Sequence, residues 1–317
     1  MTCAPAAMML WRAHRWRNTL QTLVLLAVMA AFLGGLGYLL WGPEGMEILL
    51  WAGGLLVLLG PRLSPGWVLR AYGARPLHPD DQPGLYAQLR ALAARAGLAH
   101  PPRLYLIASD MANAFAVGQG RQAAIALTTA LLRSLDAREL RGVLAHEISH
   151  IAHRDMWVMG LADLFGRLTM ALSWFGQFLL LVNLPLLAMD GDTINWWAIG
   201  LLVFAPQVST LAQLALSRTR EYDADLNAAR LTGDPEGLAR ALLKMAHLES
   251  RLRQLLWPGR RLPDPSLLRT HPPTEERVRR LRALGLAAAA PVDWQVEAGG
   301  LPRAARPPRW HASGLWY

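Results

Sequence analysis

Residues Thr19 to Trp41 run for 23 positions without an Asp, Glu, Lys or Arg. At 1.5 Å per residue, a helix of that length crosses a bilayer core of about 30 Å. Two later runs, Leu168 to Met189 and Trp196 to Leu216, are equally free of charge. A shorter apolar run from Met46 to Gly60 carries only Glu47, near its start, where a carboxylate can reach the interface. Four such segments predict a chain threaded through a membrane, with its remaining residues gathered outside it. A cleaved signal peptide is a poor account of the first run, which is too long and lacks a small-x-small exit.

Charge placement orients the threading. Arg12, Arg15 and Arg17 precede the first run, and Arg62, Arg70 and Arg75 follow the second. The turn between them, Gly42-Pro43-Glu44-Gly45, has no basic residue. The loop between the third and fourth runs carries Asp190 and Asp192, and Arg218 and Arg220 follow the fourth. By the positive-inside rule the N-terminus and the soluble segments are cytosolic.

The composition agrees: 53% of residues are hydrophobic and 17% charged. The net charge of +9 comes almost wholly from arginine, since Lys244 is the only lysine. These arginines flank apolar runs instead of clustering with aromatics on one face, which argues against nucleic acid as a partner. One cysteine, Cys3, permits no intramolecular disulfide and fits a reducing compartment.

Between the membrane runs, Asp81-Gln82-Pro83 opens an amphipathic helix to about Ala96. Strands are expected at Arg103–Ile107, Asn113–Val117 and Gln122–Leu127, the last two joined by the turn Gly118-Gln119-Gly120. They suggest a small antiparallel sheet. Asp136-Ala137-Arg138-Glu139 resembles a capping box and starts a helix to about Asp155. Further helices are expected at Glu221–Leu231, Pro235–Leu252 and Thr274–Leu284. The tail from Ala287, rich in Pro, Arg and Ala, reads as poorly ordered. There is no internal repeat.

The chemistry lies in His146-Glu147-Ile148-Ser149-His150. Residues four apart on a helix share one face. Two imidazoles so placed can bind one Zn²⁺, with the intervening Glu147 beside it as a general base. A chance match on a surface helix is the plain alternative. It fits poorly, because Val143, Leu144, Ile148 and Ile151 make the helix apolar, and buried His-Glu-His without a metal is costly. Catalytic zinc commonly takes a third protein ligand. Glu221 is the candidate, and Asp225, one turn later, is placed to orient a ligating imidazole. Alone, Glu221 to Asp225 would pass for an acidic helix start at a membrane exit. His153 is placed for a polar or supporting role. Asp163 and Arg167, four apart at the start of the third span, are expected to neutralise each other.

These residues together resemble the HtpX heat-shock membrane protease family, relatives of the CAAX prenyl proteases. The likeness runs from Ala74-Arg75-Pro76-Leu77 to about Leu284. It includes Asn113-Ala114-Phe115-Ala116, the His146–His150 motif, Ser217 to Asp225, and Thr270-His271-Pro272-Pro273-Thr274-Glu275-Glu276-Arg277. The resemblance implies that the strand Asn113, Ala114, Phe115, Ala116 receives an extended substrate backbone. It further implies that His271 helps stabilise the tetrahedral transition state, whereas from its own surroundings His271 reads as a loop residue. Arg277 reads as structural. At His153 the chain departs from relatives that often carry Asn.

The resulting expectation is a mainly α integral membrane protein. Four transmembrane helices join a zincin-like α+β metalloprotease domain. The expected divisions are a cytosolic segment (1–18), a transmembrane hairpin (19–62), a protease region with the active-site helix (63–156), two further transmembrane helices (157–217), a region completing the zinc site (218–286) and the tail (287–317). The expected activity is zinc-dependent cleavage of cytosolic segments of misfolded membrane proteins in a bacterial-type inner membrane, with one Zn²⁺ per chain. Two rivals are a protease for lipid-bearing peptides and a zinc-stabilised scaffold that does not cleave. The span count disfavours the first and Glu147 the second. A transporter would need paired repeats or broken helices, and Pro206 in the fourth run marks only a kink.

Overall fold

The first charge-free run forms one arm of α1 (Pro5–Leu59) in the computed structural model, which describes residues 5–59, 65–189, 196–256 and 273–285. The helix breaks at Gly42, whose φ of 71° and ψ of −158° suit glycine. The chain then doubles back. A Cβ on Gly37 would lie 2.7 Å from the carbonyl oxygen of Gly45, and Gly34 sits against Leu50 and Met46. Small residues thus let the two arms touch along their backbones.

Among the described residues, three helices are long and apolar enough to cross a membrane: Thr19–Leu39, Asp155–Val182 and Ile199–Thr232. The fourth expected span, the second arm of the hairpin, is not among them. The second arm of the hairpin is helical through Leu59, but its apolar stretch from Met46 falls short of the ~20 residues a bilayer core demands. The chain is a multi-pass membrane protein. Met29 and Leu33 of α1 pack with Leu161, Ala162, Phe165, Ala212 and Leu216 in the centre of the bundle. Leu23, Trp174, Phe178, Leu181 and Phe204 face outward, as lipid contact requires.

The soluble region holds α2 (Pro65–Ala71), β1 (Arg75–Pro76), α3 (Pro83–Arg95), β2 (Arg103–Ile107), β3 (Ala114–Val117), β4 (Ala124–Thr128), α4 (Thr129–Ser134) and α5 (Ala137–His153). Pro83 occupies the first turn of α3, but Gln82 makes no side-chain cap. The sheet order is β1-β2-β4-β3. β2 and β4 are parallel, while β1/β2 and β3/β4 are antiparallel. The sheet is therefore mixed, not antiparallel throughout. The segment after β2 explains the order. Ser109 is held by Thr129, whose Oγ1 donates to the Ser109 carbonyl at 2.8 Å, and by the Ala130 N–H at 3.1 Å. The chain is thereby carried past the end of β4 before it turns back as β3. β4 is central and buried at every position. Its Ile125 and Leu127 pack towards α3 and α5, and Ala124 and Ala126 lie against Leu69 of α2.

Asp136 and Glu139 make both bonds of the expected capping box at the start of α5. Beyond it come α6 (Asp155–Met189), α7 (Trp196–Thr232), α8 (Pro235–Leu256) and α9 (Thr274–Gly285). The expected helix at Glu221 is not separate. It is the continuation of the membrane helix α7, whose 37 residues reach well past a bilayer core. Asp163 and Arg167 pair at 2.9 Å, as expected.

α5 lies on α8 through Gly142, where an added Cβ would come within 2.8 Å of the Leu238 Cα. Gly142→Ala is therefore expected to cost about 1–3 kcal/mol by forcing two backbones apart. A lower thermal midpoint in detergent would show it, and an unchanged midpoint would contradict this packing.

Candidate active site

α5 turns one face, carrying Val143, His146, Glu147 and His150, into a cleft of about 580 Å³. The edge strand β3 with Asn113 borders the cleft on one side, and Leu238, Leu242 and Met245 of α8 line it as well. α7 brings Glu221 across from α5. Ligand atoms of His146, His150 and Glu221 all lie within 4.8 Å of one another. The Nε2 atoms of His146 and His150 face each other at 3.1 Å. Glu221 Oε2 is 3.4 Å from His146 Nε2, and Oε1 is 3.8 Å from His150 Nε2.

The far side of each imidazole meets a carboxylate. His146 Nδ1 lies 3.1 Å from Asp225 Oδ1, and His150 Nδ1 donates to Asp155 Oδ2 at 2.7 Å. An imidazole whose Nδ1–H is given to a carboxylate presents a lone pair at Nε2. Two such lone pairs and the Glu221 carboxylate then aim at one point and repel unless a cation lies there. The separations fit a shared ion: donors bound at about 2.0–2.1 Å in a tetrahedron stand roughly 3.4 Å apart. The residues present therefore fit a divalent metal with nitrogen and oxygen donors. The electrostatics agree. Burial alone would lower the His146 pKa, but Asp225 and Glu221 push it up to about 10, so the surroundings favour positive charge at this imidazole.

Arg277 of α9 closes the site from behind. Its Nε and Nη2 donate to the two Asp225 oxygens at 2.8 and 2.7 Å, and Nη1 lies 3.1 Å from Glu221 Oε2. The side chain is 8% exposed. Burial opposes its charge, yet the neighbouring carboxylates of Asp225, Glu221 and Glu147 raise its pKa further above the usual arginine value. Arg277 is thus structural in the sense expected: it holds the carboxylates of Asp225 and Glu221.

The sequence-expected residues His146, Glu147, His150, Glu221 and Asn113 to Ala116 meet around one cleft, with Asp225 directly behind His146. His271 lies outside the described residues, as does the tail. His153 turns away from the cluster, with Nδ1 donating to the Ser149 carbonyl at 2.8 Å. Two residues escaped the sequence reading. From sequence Asp155 marks only the end of α5, and Arg220 is a basic residue after a membrane run and part of the Ser217 to Asp225 motif, with no role of its own. Arg154 adopts a left-handed φ of 56°, at a cost of about 1–2 kcal/mol for a non-glycine residue. That turn leads directly into α6, whose first residue, Asp155, then lies under His150.

The model of the family described as "Peptidase family M48" matches residues 79–285. The chain belongs to peptidase family M48. Among curated relatives, a protease HtpX homolog of Methylibium petroleiphilum is 37% identical over 292 residues, covering 84% of this chain and 98% of that protein. Another, from Acidiphilium cryptum, is 39% identical over 283 residues, covering 84% and 96%. A third, from Pyrococcus abyssi, is 36% identical, with the same coverages. The crystal structure of S. mikatae Ste24p aligns with 85% of this chain and 66% of its own, at 19% identity and a TM-score of 0.45. Membership of peptidase family M48 makes the chain a membrane metalloprotease, acting on proteins or peptides beside a lipid bilayer.

Arg277→Ala would leave Asp225 and Glu221 buried without their counter-charge. A loss of about 3–5 kcal/mol is expected, and a divalent cation that binds the site should restore part of it. Thermal midpoints with and without added zinc measure both effects. Equal midpoints for wild type and variant would contradict the assigned role.

Proposed function

We propose that the protein is a zinc-dependent endopeptidase of a bacterial-type inner membrane. Its site faces the cytosol and cleaves cytosolic segments of misfolded or damaged membrane proteins. The observation that carries this reading is the convergence of His146, His150 and Glu221 beside Glu147, at the foot of helices that continue into the membrane spans.

In this reading His146, His150 and Glu221 hold zinc, a choice that two imidazoles and one carboxylate favour. Zinc, when bound, supplies a Lewis acid for the scissile carbonyl and lowers the pKa of a water. Glu147 takes a proton from the attacking water and returns it to the leaving amine, so the carboxylate ends as it began. Asp225 and Asp155 hold the two imidazoles with Nε2 towards the reacting centre. An extended substrate lies antiparallel to β3, an outer strand in the order β1-β2-β4-β3. Asn113, Ala114, Phe115 and Ala116 then place the scissile bond over Glu147. His271 precedes Thr274, which lines the cleft, and in this reading it stabilises the developing oxyanion.

The basic residues outside the spans support a cytosolic N-terminus and a cytosolic site. In that arrangement the second arm of α1 completes a fourth crossing, helped by local thinning of the bilayer over its short apolar stretch.

Glu147→Gln keeps the size of the side chain and removes the base. It is expected to bind zinc as wild type does and to cleave an unfolded test protein roughly 10²–10⁴-fold more slowly. Cleavage at the wild-type rate by the purified variant would refute the assignment.

A further inference from the structure

The imidazole of His150 stands at one end of a hydrogen-bonded chain that runs into the membrane bundle. His150 Nδ1 donates to Asp155 Oδ2 at 2.7 Å. The other Asp155 oxygen accepts from Arg220 Nη1 at 2.9 Å. Arg220 Nη2 donates to Asp223 Oδ2 at 3.2 Å and to Thr22 Oγ1 at 3.1 Å. Three separate elements meet here: α6 through Asp155, α7 through Arg220 and Asp223, and the first span of α1 through Thr22. The side chains of Asp155, Arg220 and Asp223 are 5%, 12% and 9% exposed, so little water competes for these bonds. Thr22 is buried too, although it lies in a span whose neighbours Leu20, Leu23 and Val24 point outward.

An arginine that only marked the membrane boundary would extend into water or headgroups. Arg220 does neither, and its planar fork matches several acceptors at once in a way a lysine ammonium does not. The carboxylate it grips is the one that fixes the orientation of His150. A carboxylate in that position sets both tautomer and ring angle of a ligating imidazole, and Asp155 can do so only while it is itself held.

We propose that Arg220 is a positioning residue for His150, acting through Asp155, and that Thr22 makes this positioning depend on the seating of the first membrane span against α7. The proposal rests on His150 being a metal ligand, as argued above. It makes metal affinity and turnover in the cytosolic site sensitive to how the bundle is packed. A change in α1 packing, whether by mutation or by bilayer thickness, loosens Asp155 and then His150 without touching the cleft.

The test uses the full-length protein in detergent. Zinc affinity is read by competition with a chromogenic chelator, kcat and KM with a peptide substrate, and the thermal midpoint in chelator. Arg220→Lys is expected to weaken zinc binding roughly 10–100-fold and to lower kcat with KM unchanged. Thr22→Val, which keeps the shape and removes one hydroxyl, is expected to shift both in the same direction by less. Thr22→Val carries the test where the arginine variant does not fold. Zinc affinity and kcat at wild-type levels in Thr22→Val and in folded Arg220→Lys, with only the thermal midpoint lowered, would make the chain of bonds purely structural and overturn the proposal. His150→Ala separates the two levels of the argument. If it alone loses zinc, the site stands and the positioning role falls. If even His150→Ala binds zinc as wild type does, both fall.

Discussion

Where α5 meets α7, the imidazole of His146 and the carboxylates of Glu147, Glu221 and Asp225 are buried with the guanidinium of Arg277, beside the half-buried His150. Buried charge is tolerated only when it is paired, and this pairing governs the surrounding structure. Arg277 must come from α9, so the C-terminal helix has to close on the site. Glu221 and Asp225 must stand one turn apart on α7, so that helix has to continue beyond the bilayer without a break. The imidazoles must point their Nε2 atoms at the same place, so both Nδ1 atoms need carboxylates. α6, α7 and α9 together meet these requirements around α5, which makes the site a junction of the fold more than a pocket on its surface.

The same arithmetic ties the soluble region to the membrane. α6 and α7, with 35 and 37 residues, would each exceed about 50 Å as straight helices, well beyond a bilayer core. Their protruding ends carry Asp155 at the start of α6 and Glu221 with Asp225 near the end of α7. The β-sheet, by contrast, contributes no ligand. It shelters α5 on one side and brings its edge strand to the cleft, where an incoming backbone can find hydrogen bonds.

Much of this was legible in the sequence because the signals are local. The capping box at Asp136 and the i, i+4 spacing of His146 and His150 depend on one helix alone, and α5 has the expected start and face. That Glu221 and Asp225 stand beside the two imidazoles was legible because a metal at the His146–His150 motif would demand a third ligand and an orienting partner. The strand order was not, because it is decided by a contact between Ser109 and Thr129, far apart in sequence, and a turn-rich segment does not reveal which side of β4 the chain will pass. Asp155 and Arg220 were missed for a related reason. A charge at the mouth of a membrane span ordinarily belongs to the interface, and only the packing of α1, α6 and α7 turns these two inward. The hairpin at Gly42 was legible as a turn because Gly42-Pro43-Glu44-Gly45 interrupts two apolar runs.

The central claim is a metal ion shared between α5 and α7, and X-ray absorption at the zinc edge of the full-length protein tests it most directly. The account predicts one zinc per chain, with a first shell of nitrogen and oxygen at about 2.0–2.1 Å and outer-shell scattering from two imidazoles. Glu221→Ala should change that shell. A shell made only of oxygen, a sulfur ligand, or a spectrum indifferent to the loss of Glu221 would place the metal elsewhere and contradict the account.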